Sequence, residues 1–324
     1  MGLRGYVAKR IIYSFILIFF VLTLNFAIFT LMPGDPLAAY VNRISNTSAE
    51  MAEEIRIAFG LNKPMYERYF IYLQKMFTFN FGKSLLVQSP IAEEIGRRLT
   101  NTLLLMGSSA ILSIVIGIVL GVLAARKRGG VLDNTVVISS LTTFSLPVFW
   151  IGMVFLTIFC FMLHWFPLGG AYPTPPSTDP LQYVLDRLYY LFLPSLALFL
   201  FQYGNYVLLT RACVLETITE DYVITAKAKG LKERTILFKH VLKNASLPLI
   251  TNVALTFGFL ISGAMITETV FNYPGMGMYI LEAINTLDTL TLGAIFYVIG
   301  LCVIIANFAA DILYGVIDPR VKYG

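Results

Sequence analysis

The stretch TITEDYVITAKAKGLKERTILFKHVLKNASLP, Thr217 to Pro248, is the one long charged passage set between two apolar runs. Eleven charged residues fall between Arg211 and Lys243: Arg211, Glu216, Glu220, Asp221, Lys227, Lys229, Lys232, Glu233, Arg234, Lys239 and Lys243. Each would cost about 2.5 to 3.5 kcal/mol near a bilayer centre, so the stretch lies in water on one side of a membrane. Its pattern predicts two short helices joined at a glycine. Thr217 and Glu220 have capping-box spacing for the first helix. Gly230 suits the left-handed residue just past its end, and a second helix restarts at Lys232. Pro248 marks the return to apolar sequence.

Outward from this loop the chain is apolar. Of its 324 residues 57% are hydrophobic and only 13% charged. A soluble domain carries about 25% charged residues, so the composition is that of an integral membrane protein. Six spans are expected, at about 11–32, 103–125, 135–163, 188–210, 246–267 and 289–310, with an outer loop at 33–99 and the charged loop at 211–248. About 20 apolar residues cross a bilayer core, and a cleavable signal peptide has a shorter apolar run. The outer loop holds two predicted helices. One covers about 49–59 behind a Thr47/Glu50 cap. The other follows Pro64 and carries an aromatic stripe (Tyr66, Tyr69, Phe70, Tyr72, Phe77) suited to a headgroup layer or a neighbouring helix.

Ser109, Ser113, Gly117, Gly121 and Ala125 recur every fourth residue, a ridge of small side chains for close helix packing. Pro147 and Pro194 are expected to kink the third and fourth spans. Gln202 and Asn205 are amides inside the fourth span, suited to a pathway lining or to an interhelix contact. Asp133, Glu268 and Asp311 stand at predicted span ends, where snorkelling to water makes a charge tolerable.

Several chemistries are excluded. Cys160, Cys213, Cys302, His164 and His240 show no metal-ligand spacing, so no metal site and no catalytic residue is expected. Gly82-Lys-Ser84 lacks the first glycine and the preceding strand of a phosphate loop. A secondary transporter would need an intramembrane ion site and commonly an internal repeat, and neither is evident. Uphill transport by such a chain needs an energising partner. The formal charge of +5 points to orientation, not nucleic acid. With the N-terminus inside, Arg4, Lys9 and Arg10, Arg126 to Arg128, the charged loop with Arg211, and Arg320 and Lys322 place 15 of the 24 Lys and Arg on one face. The positive-inside rule makes that face, with both termini, cytoplasmic.

The run Tyr222-Val-Ile-Thr-Ala-Lys-Ala-Lys-Gly-Leu231, followed by Asn244-Ala-Ser-Leu-Pro248, resembles the cytoplasmic signature loop of ABC-importer permeases, of the dipeptide/oligopeptide/nickel class in particular. Ile224 stands at the position of that motif's glutamate and Thr225 at its first alanine, while Ala226 and Gly230 keep the pattern. Met32-Pro-Gly-Asp-Pro36, Ser145-Leu-Pro-Val-Phe-Trp150, the segment Glu268 to Gly277 and Asp318-Pro-Arg320 resemble the same family. The resemblance implies an all-α, six-helix type I importer permease in a prokaryotic inner membrane. Its implied partners are a second, related permease, two ATPase subunits that hold ATP and Mg, and an external solute-binding protein, with lipid around it. The coupling residues it implies are Tyr222, Thr225, Ala226, Lys227, Ala228, Lys229, Gly230 and Leu231. Phe257, Gly258 and Ser262 on the fifth span join Gln202 and Asn205 as candidate pathway lining. The implied cargo is a short peptide, with nickel, glutathione or an oligosaccharide as alternatives.

Overall fold

The computed structural model describes residues 3–31, 62–84, 89–259 and 264–317. The helix expected at about 49–59 and the tail Asp318-Pro-Arg320 lie outside them. Twelve α-helices are found among the described residues. They are α1 (Leu3–Leu31), α2 (Met65–Phe77), α3 (Ile91–Arg126), α4 (Val131–Ser145), α5 (Val148–Phe155), α6 (Pro180–Thr217), α7 (Asp221–Ala228), α8 (Glu233–Thr235), α9 (Leu242–Phe259), α10 (Met265–Val270), α11 (Met276–Asn285) and α12 (Thr289–Ile317). Two π-helical segments, Leu156–Met162 and Ile236–Val241, extend α5 and link α8 to α9.

Four helices are long and apolar enough to cross a bilayer: α1, α3, α6 and α12. A fifth span is made if α4 and the α5 helix with its π-helical extension count together, although they meet at 95°. That angle exceeds the kink expected at Pro147. Leu146 is extended (ψ 135°), as a residue before proline must be, and helix α4 ends there. Pro194, by contrast, lies inside the uninterrupted α6. The fifth expected span corresponds to α9, within which Pro248 already sits; Ala264 then stands outside the helix and α10 begins anew. Helices α3 and α6 overrun the predicted spans at both ends. Asp179 explains one of these ends, because its carboxylate accepts the Gln182 N–H at 3.0 Å with Pro180 in the first turn.

The chain forms two compact units, residues 1–100 with 275–324, and residues 101–274. In the first, α1 packs along α12. Asn25 donates to the Gly293 carbonyl at 2.8 Å, and the rings of Phe29 and Phe296 lie 6.2 Å apart. The aromatic stripe of α2 divides: Tyr69 meets Thr23 (2.7 Å) and the edge of Phe26, whereas Tyr66 and Phe70 stay exposed. Asp288 caps α12 by accepting the Thr291 N–H at 3.0 Å, and it also receives the hydroxyl of Ser84 at 2.9 Å. Ser84 of the rejected phosphate loop thus serves as a brace. Arg98 is held between Glu94 (2.5 Å) and Glu282 (2.8 Å) over the ring of Tyr279.

In the second unit α6 is central. The small-residue ridge of α3 packs against it: a Cβ added to Gly121 would come within 2.7 Å of the Val207 carbonyl oxygen, and one at Gly117 would overlap Tyr206. On α6 itself Gly204 admits the backbone of α4 at Ser140, and Phe144 stacks on Phe201. Where lipid offers no hydrophobic drive, such close backbone approach supplies the association. At one end of α6, Arg187 donates to Asn101 at 2.5 Å, and Asn101 donates to the Pro274 carbonyl at 2.8 Å. Burial pushes the nearby Tyr273 phenol up to about 12, so it stays neutral beside Arg187. Glu268 does not reach water as expected of a span-end charge. It is fully buried and accepts the Thr102 hydroxyl at 2.8 Å.

Candidate functional site

The charged loop folds as an elbow between α7 and α8. Thr217 does not cap it: this residue is the last of α6, and its hydroxyl turns back to the Cys213 carbonyl at 2.7 Å. Glu220 takes the cap position of α7 instead, without a side-chain cap bond. The far end of α7 is closed by two backbone bonds. Gly230 N–H donates to the Lys227 carbonyl at 2.9 Å and Leu231 N–H to the Ala226 carbonyl at 3.4 Å. This nested pair is the Schellman arrangement, and it requires the left-handed residue that Gly230 provides at φ +74°. Lys232 then opens α8, which does not stop as a short second helix. It runs through Ile236–Val241 directly into α9.

The two faces of α7 differ. Val223 and Ala226 are buried in a cluster with Val122 and Ala125 of α3, Cys213 and Val214 of α6, and Ile236, Leu237 and Val241. The small size of Ala226 lets α7 sit close against this cluster. Tyr222, Ile224, Thr225, Lys227, Ala228, Lys229, Gly230 and Leu231 are exposed, with Phe238 beside them. Exposed apolar and basic side chains thus surround a buried base. Tyr222, Ile224, Leu231 and Phe238 are large apolar side chains exposed within this one loop.

A second feature of this end of the unit escaped the sequence reading. Asp133 and Arg211 pair through two bonds, Nε to Oδ1 at 2.6 Å and Nη2 to Oδ2 at 2.8 Å. Asp133 also accepts the Gly129 N–H at 2.8 Å, and its side chain is 2% exposed. The expected snorkelling of Asp133 does not occur. Its partner is 78 positions away, so no local pattern announces it.

Of the candidate pathway residues, Gln202 is half-buried and Asn205 exposed, three residues apart on α6, and neither side chain makes a hydrogen bond among the described residues. Phe257 and Gly258 lie in α9, but their surroundings, and Ser262 altogether, fall outside what is described. The helix-to-helix bond nearby joins Tyr206 and Thr256, at 2.5 Å. Among the described residues no three His, Cys, Asp or Glu side chains come together as a metal cluster.

Comparison with known proteins agrees with this architecture. The family described as binding-protein-dependent transport system inner membrane component matches residues 117–323, and its N-terminal companion matches residues 3–105. The chain belongs to this permease family. A putative peptide permease protein of Brucella suis is 38% identical over 92% of this chain and 93% of its own length. The oligopeptide transport system permease protein AppB of Bacillus subtilis is 33% identical over 99% of this chain and all of its own. The di/tripeptide transport system permease protein DppB of Pseudomonas aeruginosa is 32% identical over 98% and 99%. Among solved structures, the inward-facing MetNI methionine ABC transporter shares the fold, with a TM-score of 0.55 at 16% identity, covering 71% of the permease and 99% of that chain.

Proposed function

We propose that this permease is one of two related membrane-spanning subunits of an ATP-driven importer for short peptides, which an external solute-binding protein delivers. The loop 217–248 docks on the ATPase subunits. The observation that carries this reading is the division of α7 into a buried face keyed to α3 and α6 and an exposed apolar and basic face. A partner that grips Tyr222, Ile224 and Leu231 cannot move α7 without moving Val223 and Ala226, and with them the ends of α3 and α6. Close-packed interiors pass displacement on with little compression. ATP and Mg reside on the partner subunits and supply the closing movement; this chain converts it into helix displacement. The peptide cargo is supported by the names of the relatives. Gln202 and Asn205, half-buried and exposed amides inside the fourth expected span, face the pathway in this reading. Both termini and the loop are on the cytoplasmic side in this reading, supported by the clustering of Lys and Arg there.

The test is ATP-driven uptake of radiolabelled di- and tripeptides by proteoliposomes holding both permeases, the ATPases and the binding protein. Ile224→Asp puts a carboxylate on the exposed side of α7 while leaving the buried cluster intact. Uptake should fall roughly thirtyfold, as for loss of a central interface anchor, together with ATPase retention on the membrane subunits. Undiminished uptake with the ATPases still bound would remove the loop from the interface. Uptake of nickel or an oligosaccharide in place of peptides would change the cargo and leave the coupling reading standing.

A further inference from the structure

The Asp133–Arg211 pair joins α6, which carries the coupling loop, to the start of α4. Arg211 lies on α6 just before Cys213 and Val214, which pack beneath α7. Asp133 lies in the first turn of α4 and also fixes the preceding turn through the Gly129 N–H, which faces it because Gly129 adopts φ +75°. Helix α4 then runs along α6, its Ser140 backbone seated on Gly204 and its Phe144 stacked on Phe201. It ends at the 95° turn into α5, whose Gly152 packs against Val270 and Phe271. A two-bond carboxylate–guanidinium fork fixes distance and angle together, which a single contact does not.

We propose that the Asp133–Arg211 pair is a positioning strut that carries displacement of the coupling loop from α6 into α4, and so to the turn at Leu146–Pro147. The proposal rests on the coupling role given to the loop above. The pair holds the loop-proximal ends of α4 and α6 in fixed register, so a push delivered to α6 is taken up by α4 and not lost as sliding between them. The 95° turn is the place where α4 can swing relative to α5.

The experiment uses the whole transporter and reads peptides imported per ATP hydrolysed. Asp133→Asn keeps the shape and removes the charge; Arg211→Lys keeps the charge and removes the fork. For both, the complex should assemble with its ATPases and hydrolyse ATP, while peptides imported per ATP fall by roughly tenfold, the scale of coupling energies carried through packed elements. An unchanged ratio in an assembled complex would overturn the strut. Failure of both variants to assemble would overturn it too, making the pair a stability element. A native complex with no ATP-dependent peptide uptake would instead refute the importer reading, so the two failures are distinct.

Discussion

Gly230 offers a graded test of the elbow. Its φ of +74° lies in the left-handed region, and a Cβ added there meets nothing within 4 Å. Steric collision with the rest of the chain is therefore absent, and the effect of a substitution is set by the backbone alone. Alanine in this region costs about 1 to 2 kcal/mol, a factor of roughly 5 to 30 against the native turn. Asparagine visits the same region more readily, so its cost is smaller. Proline is confined to a φ near about −65° and has no N–H, so it loses both the turn and the Gly230 N–H bond to the Lys227 carbonyl; about 3 kcal/mol or more is at stake. Peptide uptake and binding-protein-stimulated ATP hydrolysis in proteoliposomes should therefore fall in the order Asn, Ala, Pro, with Asn close to native and Pro nearly silent. The amount of complex in the membrane should stay constant, because Val223 and Ala226 still anchor α7. If proline matched the native chain, or asparagine were as damaging as proline, the φ argument would fail, and the glycine would serve some other need.

Two further outcomes follow from packing and capping. Gly121→Ala should lower the thermal unfolding midpoint of the detergent-solubilised complex by an amount equivalent to about 1 to 3 kcal/mol, because the added methyl meets the backbone of Val207, whereas Gly107→Ala, whose methyl meets nothing within 4 Å inside the same helix, should not lower it and should raise it by the equivalent of up to about 1 kcal/mol. Asp288→Ala should cost about 0.5 to 2 kcal/mol through loss of the α12 cap, measured by the same unfolding midpoint, and Asp288→Asn should recover most of it.

What could be read from the sequence was whatever repeats or punctuates locally. The charge run marked the loop because it does not suit a bilayer interior, Gly230 marked the turn inside it, and the fourth-residue ridge from Ser109 to Ala125 announced the contact that Gly117 and Gly121 make with α6. What stayed hidden depends on distant partners. Asp133 and Glu268 each look like a span-end charge free to reach water, and only the fold brings Arg211 to one and Thr102 to the other. Ala226 was legible as small but not as inward-facing, since α7 is too short to show an amphipathic period. Pro147 announced a break, but its 95° angle depends on what each half packs against: α4 lies on α6, while Gly152 of α5 seats Val270 and Phe271.

The π-helical segment Ile236–Val241 sets the phase between the loop and the span that follows it. A helix advances about 100° per residue, so each residue held in a wider turn changes the azimuth at which everything beyond it points. The elbow and α9 are thus clocked against each other by six residues. Removing one residue there would keep the composition of α9, shift Ile236, Leu237 and Val241 in the cluster beneath α7, and turn α9 against the elbow by about a quarter of a revolution. The angular setting between the exposed face of α7 and the helix α9 is in this chain a countable quantity, set by the number of residues in one six-residue segment.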